Sequence, residues 1–374
     1  MPSISRRPSA NSSHTPWAAT TSKGGRSCIS CICAQGWKNT SRLRRTRSLM
    51  PMHCGGHGPR QCRRLLPRNG DDCPGWGNPR WPRAHRPHTA RPMPDHMTRY
   101  ATSDHLAVAV VRATDTVATI AAQHDVQGEP RRILGEAITA SLLMATRLKG
   151  PGVLSFSLRT SSCFAHLRVD AIGLGSVRAM VTDTVRAGLQ AWNGVDALLG
   201  PGEVEVVKQL AQESQPYRST IQLDRGEVVW AANRYLAVSE QVDACLLIDV
   251  RERDGALVEA TGVYLQRLPG ADDDGAGIAH LRRHQLALTE GRPMGLAGDQ
   301  DDDGLIQRLI PGSPLQRLHD YPVGFHCPCS AERFITTLRG IPQHELRELA
   351  EDGVLETTCE FCRSVYRIPL DEVI

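Results

Sequence analysis

Two close pairs of cysteines near the C-terminus constrain this chain more than any other feature of its sequence. Cys327-Pro328-Cys329 is followed, after a gap of 29 residues, by Cys359-Glu360-Phe361-Cys362. Thiolates are the soft ligands that zinc prefers, and two pairs on separate turns suit a tetrahedral four-cysteine site. The spacing therefore predicts that one Zn²⁺ ion per chain is bound by Cys327, Cys329, Cys359 and Cys362.

The residues around the two pairs are predicted to form a small domain, residues 323–374. Its helices are expected at 330–339, with Ser330 as the cap, and at 342–350, and its strands at 354–358 and 364–368. A core of this size supplies at most about 3–5 kcal/mol of stability. A structural zinc ion supplies about 10–16 kcal/mol. We therefore expect the metal to keep this domain folded.

Two other uses of the cysteines are weaker. A pair of permanent structural disulfides is typical of secreted proteins, and the chain carries no convincing secretory signal. A thioredoxin-type dithiol site needs its CxxC at the start of a helix that follows a parallel strand, and Cys359 follows a strand but opens no helix pattern.

The first hundred residues differ in composition from everything that follows. Residues 1–100 hold 18 of the 44 Lys and Arg but only three of the 40 acids, and they contain no Val, Phe or Glu. Such a segment has too few core-forming side chains to offset its ordering entropy. A transit peptide and a twin-arginine signal at Arg6-Arg7 are two interpretations. We favour a third: this basic leader, disordered if it is made, is not part of the functional protein, whose true start lies near Met93 or Met97.

Residues 101–268 are predicted to form an α+β domain built on a mixed or antiparallel sheet. Helices are expected at 129–149, where apolar residues recur every three or four positions, and at Val228–Val238. Strands are expected at 105–111, 153–160, 165–170, 176–182, 203–210, 217–223, 244–250 and 258–268. The first strand is expected to resume after Arg112 and end at residue 121.

The segment 269–322 is predicted to be a marginally stable, helical linker. Clustered aspartates repel one another, and Gly and Pro interrupt the two weak helical stretches, at 280–289 and 304–318. The complete fold class is thus α+β: an N-terminal mixed sheet-and-helix domain, a helical metastable linker and a small C-terminal zinc-binding domain with four cysteine ligands.

We do not expect an enzyme. The body lacks a phosphate-binding Gly-rich loop and a GxSxG motif. His280 and His284 are four residues apart, but Leu281 occupies the place where a zinc-protease motif needs Glu. These two residues, with the isolated His124 and His166, are therefore expected to have ordinary surface or core roles. Cys163 and Cys245 are expected to be small buried hydrophobes.

A zinc-ribbon module that binds nucleic acid is the main alternative function, and the charge pattern disfavours it. Such a module needs a basic face with aromatic residues, but five arginines face nine acids from Phe325 onward. We therefore predict no nucleic-acid partner. No apolar stretch approaches the roughly 18 residues of a membrane span, so we expect a soluble protein without a membrane partner.

Several motifs resemble those of the Hsp33 chaperone family. CPCSAERF, LAEDG and CEFC with the strand after it resemble that family's C-terminal redox switch. RRILGEAITASLLMATRLKG, YLAVSEQ and GVYLQRLPG resemble its N-terminal domain. The resemblance covers residues 104–374, is weakest across 270–322 and does not reach the leader.

The resemblance implies a cytoplasmic, ATP-independent holdase that responds to oxidative stress. It implies that the reduced, zinc-bound form is inactive and that oxidation forms the disulfides Cys327–Cys329 and Cys359–Cys362, releases zinc and unfolds the C-terminal domain and the linker. The active form is then expected to be a homodimer that binds unfolding client proteins and prevents their aggregation. Thiol reductants and foldase chaperones are the expected partners in client release.

Two residues depart from the family pattern. Ala331 stands where the family usually has Arg after CxCS, and Arg363 follows CEFC where Gly or Asn is common. A small residue eases the left-handed conformation expected there. Neither change removes a ligand, but both bear on zinc affinity and on the oxidation threshold.

Overall fold

A computed structural model describes residues 94–160, 166–182, 202–223, 227–271, 273, 275–292, 295–296, 298 and 301–374. The predicted leader falls almost wholly on residues outside these ranges, as does Cys163. The described part of the chain contains two large sheets and one hairpin. No helix in this part is long and apolar enough to cross a bilayer.

The first sheet has five antiparallel strands in the order β10-β1-β2-β9-β8. Its strands are β1 (His96–Thr102), β2 (Leu106–Arg112), β8 (Ala244–Arg253), β9 (Ala256–Arg267) and β10 (Leu315–Pro322).

The second sheet has six strands in the order β11-β5-β4-β3-β6-β7, antiparallel except for the β11–β5 pair. Its strands are β3 (Gly152–Thr160), β4 (His166–Ile172), β5 (Ser176–Val181), β6 (Gly202–Leu210), β7 (Tyr217–Leu223) and β11 (Gly324–Phe325). The predicted α+β class, with mixed sheet and helix, is confirmed.

The main core lies around helix α2 (Glu129–Ala145), which packs between the two sheets. Leu134, Ile138 and Leu142 of α2 are fully buried in it. Gly262 of β9 lets the helix approach closely, because a Cβ there would lie 2.5 Å from the Thr139 methyl carbon. Helices α1 (Thr114–Gln123) and α3 (Val228–Val238) complete this layer.

Helix α1 corrects the prediction that the first strand resumes after Arg112. Its β-branched residues favoured a strand, but Val117, Ile120 and Ala121 are buried together at helical spacing. The Asp95 carboxylate also accepts hydrogen bonds from the first backbone amides of α1, those of Asp115 and Thr116. This cap from Asp95 stabilises a helix that the local sequence pattern does not predict.

The predicted linker packs against the outer face of the five-stranded sheet. Helices α4 (Ala276–Thr289) and α5 (Asp302–Leu309) bury Leu281, Leu305 and Leu309 against sheet residues that include Cys245. The prediction of a helix through residue 318 is wrong after Leu309. There the chain turns at Gly312 and enters β10, which pairs with β1.

The C-terminal residues form a small domain with helices α6 (Ala331–Leu338) and α7 (Gln343–Leu349) and the hairpin of β12 (Val354–Thr358) and β13 (Val365–Pro369). A short 3₁₀ turn, Leu370–Glu372, follows.

Strand β1 begins at His96, so the predicted leader boundary at residue 100 falls inside a strand of the folded body.

Candidate metal centre

The four predicted cysteines meet at one point of the C-terminal domain. Cys327 and Cys329 lie between β11 and α6, and Cys359 and Cys362 lie on the turn that joins β12 to β13. Their four sulfur atoms all lie within 4.8 Å of one another. Cys327 Sγ is 3.8 Å from Cys359 Sγ, and Cys329 Sγ is 3.3 Å from Cys362 Sγ.

These sulfur positions fit a tetrahedral metal ion. Zn–S bonds of about 2.3 Å place the sulfurs of a tetrahedral site about 3.8 Å apart, close to the separations observed. All four residues are free thiols rather than disulfides, so each offers one sulfur ligand. Cys327, Cys329, Cys359 and Cys362 could therefore hold a metal ion, and a set of four sulfur donors suits a soft cation such as zinc.

Local backbone structure positions both pairs. The Ser330 hydroxyl caps α6 by accepting from the Arg333 amide at 3.3 Å, as its place after CPC predicts. The second pair is closed by reciprocal backbone bonds, Arg363 N–H to Cys359 O at 2.8 Å and Cys359 N–H to Ser364 O at 2.9 Å. Arg363 has φ +59°, the left-handed conformation that a non-glycine residue adopts at a cost.

The four thiols differ in acidity. Burial raises the pKa of Cys327, Cys329 and Cys359. Burial also acts on Cys362, but hydrogen bonds from the hydroxyl and backbone of Ser364 outweigh it and lower the pKa of Cys362 to about 7. A thiolate is the form that ligates metals and reacts with oxidants, so the site supports both kinds of chemistry.

The apolar core of this domain is very small. Only Leu346, Leu355, Ile368 and Val373 are buried apolar residues of its cluster, with Phe334 and Tyr366 packed beside them at a ring-centroid distance of 4.9 Å. The two helices have seven or eight residues each. A domain with so little core depends on a further cross-link for its stability.

The metal centre is joined to the body through β11. This strand pairs with β5 by two residues only, Gly324 with Ser176 and Phe325 with Val177. The Gly324 amide donates to Gly175 O at 2.9 Å, and the His326 amide donates to Val177 O at 3.0 Å. Cys327 therefore lies two residues beyond a strand that forms the edge of the six-stranded sheet.

Side chains of the body also contact the second cysteine pair. The Arg178 guanidinium lies 3.9 Å from the Phe361 ring centroid, and its Nη1 lies 4.0 Å from Cys327 Sγ. Asp170, fully buried in β4, accepts from Arg178 Nη2 at 2.8 Å. His124 Nε2 lies 2.9 Å from Ala179 O and 3.1 Å from Phe361 O. Both neighbours are carbonyl oxygens, so Nε2 carries the proton.

Sequence reasoning missed this contact. It assigned His124 no special role, and it did not single out Arg178 or Asp170. The pairing of Asp170 with Arg178 across β4 and β5 is the signal that links them, and it exists only once the strand order is known. Of the four histidines expected to have ordinary surface or core roles, His284 is buried and donates Nε2–H to Leu309 O at 2.9 Å, joining α4 to α5.

A separate ionic cluster fastens the linker to the body. Asp302, at the start of α5, is buried with 4% of its side chain exposed. Its carboxylate accepts from His96 Nε2 and from Arg112 Nε, both at 2.9 Å. Because the two partners lie on β1 and β2, this cluster is an ionic latch between the linker helix and the five-stranded sheet.

The chain is similar to proteins of one known family. The sequence model of a family described as "Hsp33 protein" matches residues 95–369. The 33 kDa chaperonin of Syntrophotalea carbinolica is 30% identical over 287 residues, covering 75% of this chain and 98% of that protein. The 33 kDa chaperonin of Bacillus subtilis is 29% identical over 269 residues, covering 70% and 90% respectively.

A solved structure shares the fold. The crystal structure of the 33 kDa chaperonin from Thermotoga maritima matches with a TM-score of 0.62 and 18% sequence identity. The match covers 74% of this chain and 96% of that one. The two-sheet body and the C-terminal domain therefore follow an architecture already seen in an experimental structure.

Proposed function

The chain belongs to the Hsp33 family of chaperones, and from that premise we propose that it is a redox-regulated, ATP-independent holdase rather than an enzyme. We assign residues 101–268 to the chaperone core, 269–322 to the redox-sensitive linker and 323–374 to the zinc-binding switch domain, with β1 added to the core. Residues 1–93 are not required for this activity.

In the reduced protein, Cys327, Cys329, Cys359 and Cys362 bind one Zn²⁺ per chain. The bound ion supplies the cross-link that the four-residue core of the domain cannot replace. In this state β11 stays on β5, Phe361 stays on Arg178, and the linker helices stay on the five-stranded sheet. The resting chaperone therefore keeps its client-binding surface covered.

Oxidation acts on the thiols of each close pair. The two thiolates of a pair lose two electrons to one peroxide molecule, which takes up two protons from the solvent and becomes two molecules of water, and a disulfide forms. The disulfides are Cys327–Cys329 and Cys359–Cys362. Because a disulfide offers no thiolate ligand, the four oxidised residues would no longer hold zinc, and the domain and then the linker would unfold.

The oxidised form dimerises in the cytoplasm and binds unfolding client proteins through the apolar surface that the linker and switch domain had covered. Thiol reductants restore the ligands, and foldase chaperones receive the client. The observation that carries this proposal is the meeting of four free thiols within 4.8 Å in a domain whose core has four buried apolar residues.

The proposal is tested by light scattering of an aggregating client protein with reduced and with peroxide-treated chaperone, while zinc release is followed with a chromophoric chelator. We expect suppression of aggregation only after oxidation, in step with zinc release. Cys329→Ser should abolish this coupling. Cys245→Ala is the control for loss of a thiol elsewhere, because Cys245 is fully buried and burial raises its pKa to about 12, so this variant should still release zinc on oxidation. Equal activity of both redox forms would contradict the proposal.

A further inference from the structure

The outer edge of β5, on the side away from β4, pairs with another strand over only two residues among those the structure describes. One side of β5 pairs with β4 along its whole length. Because Thr182 N–H donates to His166 O, the alternation of an antiparallel ladder directs the backbone groups of Val177, Ala179 and Val181 away from β4. Among the described residues, only the two residues of β11 pair with this side.

The carbonyl oxygens along that edge accept hydrogen bonds from residues outside β4 and β5. Gly175 O accepts from the Gly324 amide, Val177 O accepts from the His326 amide, and Ala179 O accepts from the His124 ring. Two of the three donors belong to the segment that leads directly into Cys327. An edge strand with free backbone groups is a template for another strand, so this segment protects the edge.

The same segment fills an apolar notch. Val323 is buried, with 8% of its surface exposed, and Phe325 packs against the main core beside it. Gly324 separates them, so two apolar side chains two residues apart point inward from an extended backbone. On the other face of the sheet, the Phe361 ring packs against the Arg178 guanidinium. Asp170 bonds the same guanidinium, so it would still position Arg178 after Phe361 had left.

We propose that the outer edge of β5 is a docking site for an extended segment of an unfolding client, which adds to the sheet as a strand in place of β11. This inference rests on the proposed function, since withdrawal of residues 323–326 follows oxidation of the switch domain. Backbone pairing recognises any sequence that can extend. The notch selects apolar side chains two residues apart, and the vacated Arg178 selects an aromatic ring on the opposite face.

The chain's own covering segment provides the probe. A synthetic peptide copying residues 319–326, HDYPVGFH, is added to the oxidised full-length protein, and amide hydrogen exchange is measured residue by residue. In the register of β11, where Phe325 lies opposite Val177, the peptide reaches no further than the amide of Ala179. We therefore expect about tenfold slower exchange at the amides of Val177 and Ala179. The outward amide of Thr220 on β7, at the opposite edge of the same sheet, should not change. A peptide with Ser at the positions of Val323 and Phe325 should protect neither edge.

A pair of variants links the edge to client holding. Ala179→Pro removes one outward N–H and no bond to β4, because the Ala179 N–H points away from β4. Proline is tolerated in a strand at such a position. We expect the oxidised variant to hold clients about tenfold less well, whereas Thr220→Pro on β7 should retain full activity. If Ala179→Pro fails to fold, peptide protection in the unsubstituted protein decides the question.

The outcomes separate this inference from the proposed function. Unprotected β5 amides, in an oxidised protein that still holds clients, would overturn the docking site and leave the holdase intact. Protection by the peptide, in an oxidised protein that holds no client, would support the site and overturn the holdase. Protection that appears without peptide and rises with protein concentration would identify a second copy of this chain as the occupant and overturn the inference.

Discussion

The guanidinium of Arg178 lies 3.9 Å from the centroid of the Phe361 ring, which joins β5 of the body to the turn that carries Cys359 and Cys362. The same guanidinium is held by the buried carboxylate of Asp170 at 2.8 Å. The Phe361 ring therefore anchors the second cysteine pair to a fixed charge in the body. Loss of this contact should loosen the metal centre without removing a ligand.

Substitution of Phe361 tests that coupling. Phe361→Leu keeps an apolar side chain but removes the ring, and a cation–π contact at a partly desolvated site is worth about 1 kcal/mol. We expect zinc release under peroxide to be about fivefold faster, measured with a chromophoric chelator. Arg168→Met is the control, because Arg168 also bonds Asp170 but lies on β4. An unchanged rate in Phe361→Leu would show that the ring does not restrain the site.

The turn before β5 offers a way to displace β11 without oxidation. A Cβ on Gly175 would lie 2.1 Å from Pro322 O, whereas a Cβ on Gly173 would meet nothing within 4 Å. Both glycines have positive φ, 61° at Gly173 and 98° at Gly175, so both alanine variants carry backbone strain, and Gly175→Ala carries more of it. We expect only Gly175→Ala to increase amide exchange at Val177 and Ala179 under reducing conditions. Equal exchange in the two variants would mean that strain, not the clash, opens the edge.

The ionic latch of the linker should depend on pH. The hydrogen bond to Asp302 raises the pKa of His96 above its usual 6.5. Burial works to raise the pKa of Asp302, but the hydrogen bonds from His96 and Arg112 outweigh it and hold that pKa below 3.8. The His96 contribution is thus complete below pH 6.5 and lost as pH rises through its raised pKa. The Asp302 contribution is present above pH 3.8 and lost as pH falls through its lowered pKa.

We therefore expect α5 to open more readily at pH 8 than at pH 6, measured as the difference in amide protection between the native protein and His96→Gln at each pH. Asp320, which also lies near His96, is exposed and paired with Arg317. Asp302→Asn should weaken α5 by about 3 kcal/mol, because it breaks a buried ion pair. Asp320→Asn should change little. If the difference in amide protection of α5 between the native protein and His96→Gln is the same at pH 6 and pH 8, His96 is not the titrating group.

Relief of backbone strain should tighten the metal site. Arg363 has φ +59°, and a left-handed residue with a Cβ costs about 1 kcal/mol relative to glycine. Arg363→Gly should therefore raise zinc affinity about fivefold in a chelator competition. Arg363→Ala removes the guanidinium but keeps the Cβ, so it should give no gain. A similar gain in both variants would assign the effect to the charge.

The features that sequence could predict are those that local patterns encode. The spacing of Cys327, Cys329, Cys359 and Cys362 predicted which thiols meet, and the limits of α3 at Val228–Val238 were correct at both ends. The left-handed conformation expected at Arg363 is confirmed. Each of these depends on residues close together in the chain or on a ligand set with one good geometry.

The features that sequence missed depend on partners far apart. α1 is capped by Asp95, about 20 residues earlier, and β10 is a strand because β1 lies beside it. Asp302 meets His96 across 206 positions, and Arg178 meets Cys327 across 149. The segment 269–322 looked marginal because its aspartates and prolines are visible in the sequence, while the sheet face that buries its leucines is not.

The most direct test of the account compares the reduced protein with and without its metal. Zinc per chain is measured by elemental analysis, and amide exchange is measured at Leu346, Leu355 and Ile368 before and after removal of zinc by a chelator under reducing conditions. We expect one zinc per chain and loss of protection at all three amides once the metal is removed. Full protection in the metal-free reduced protein would contradict it.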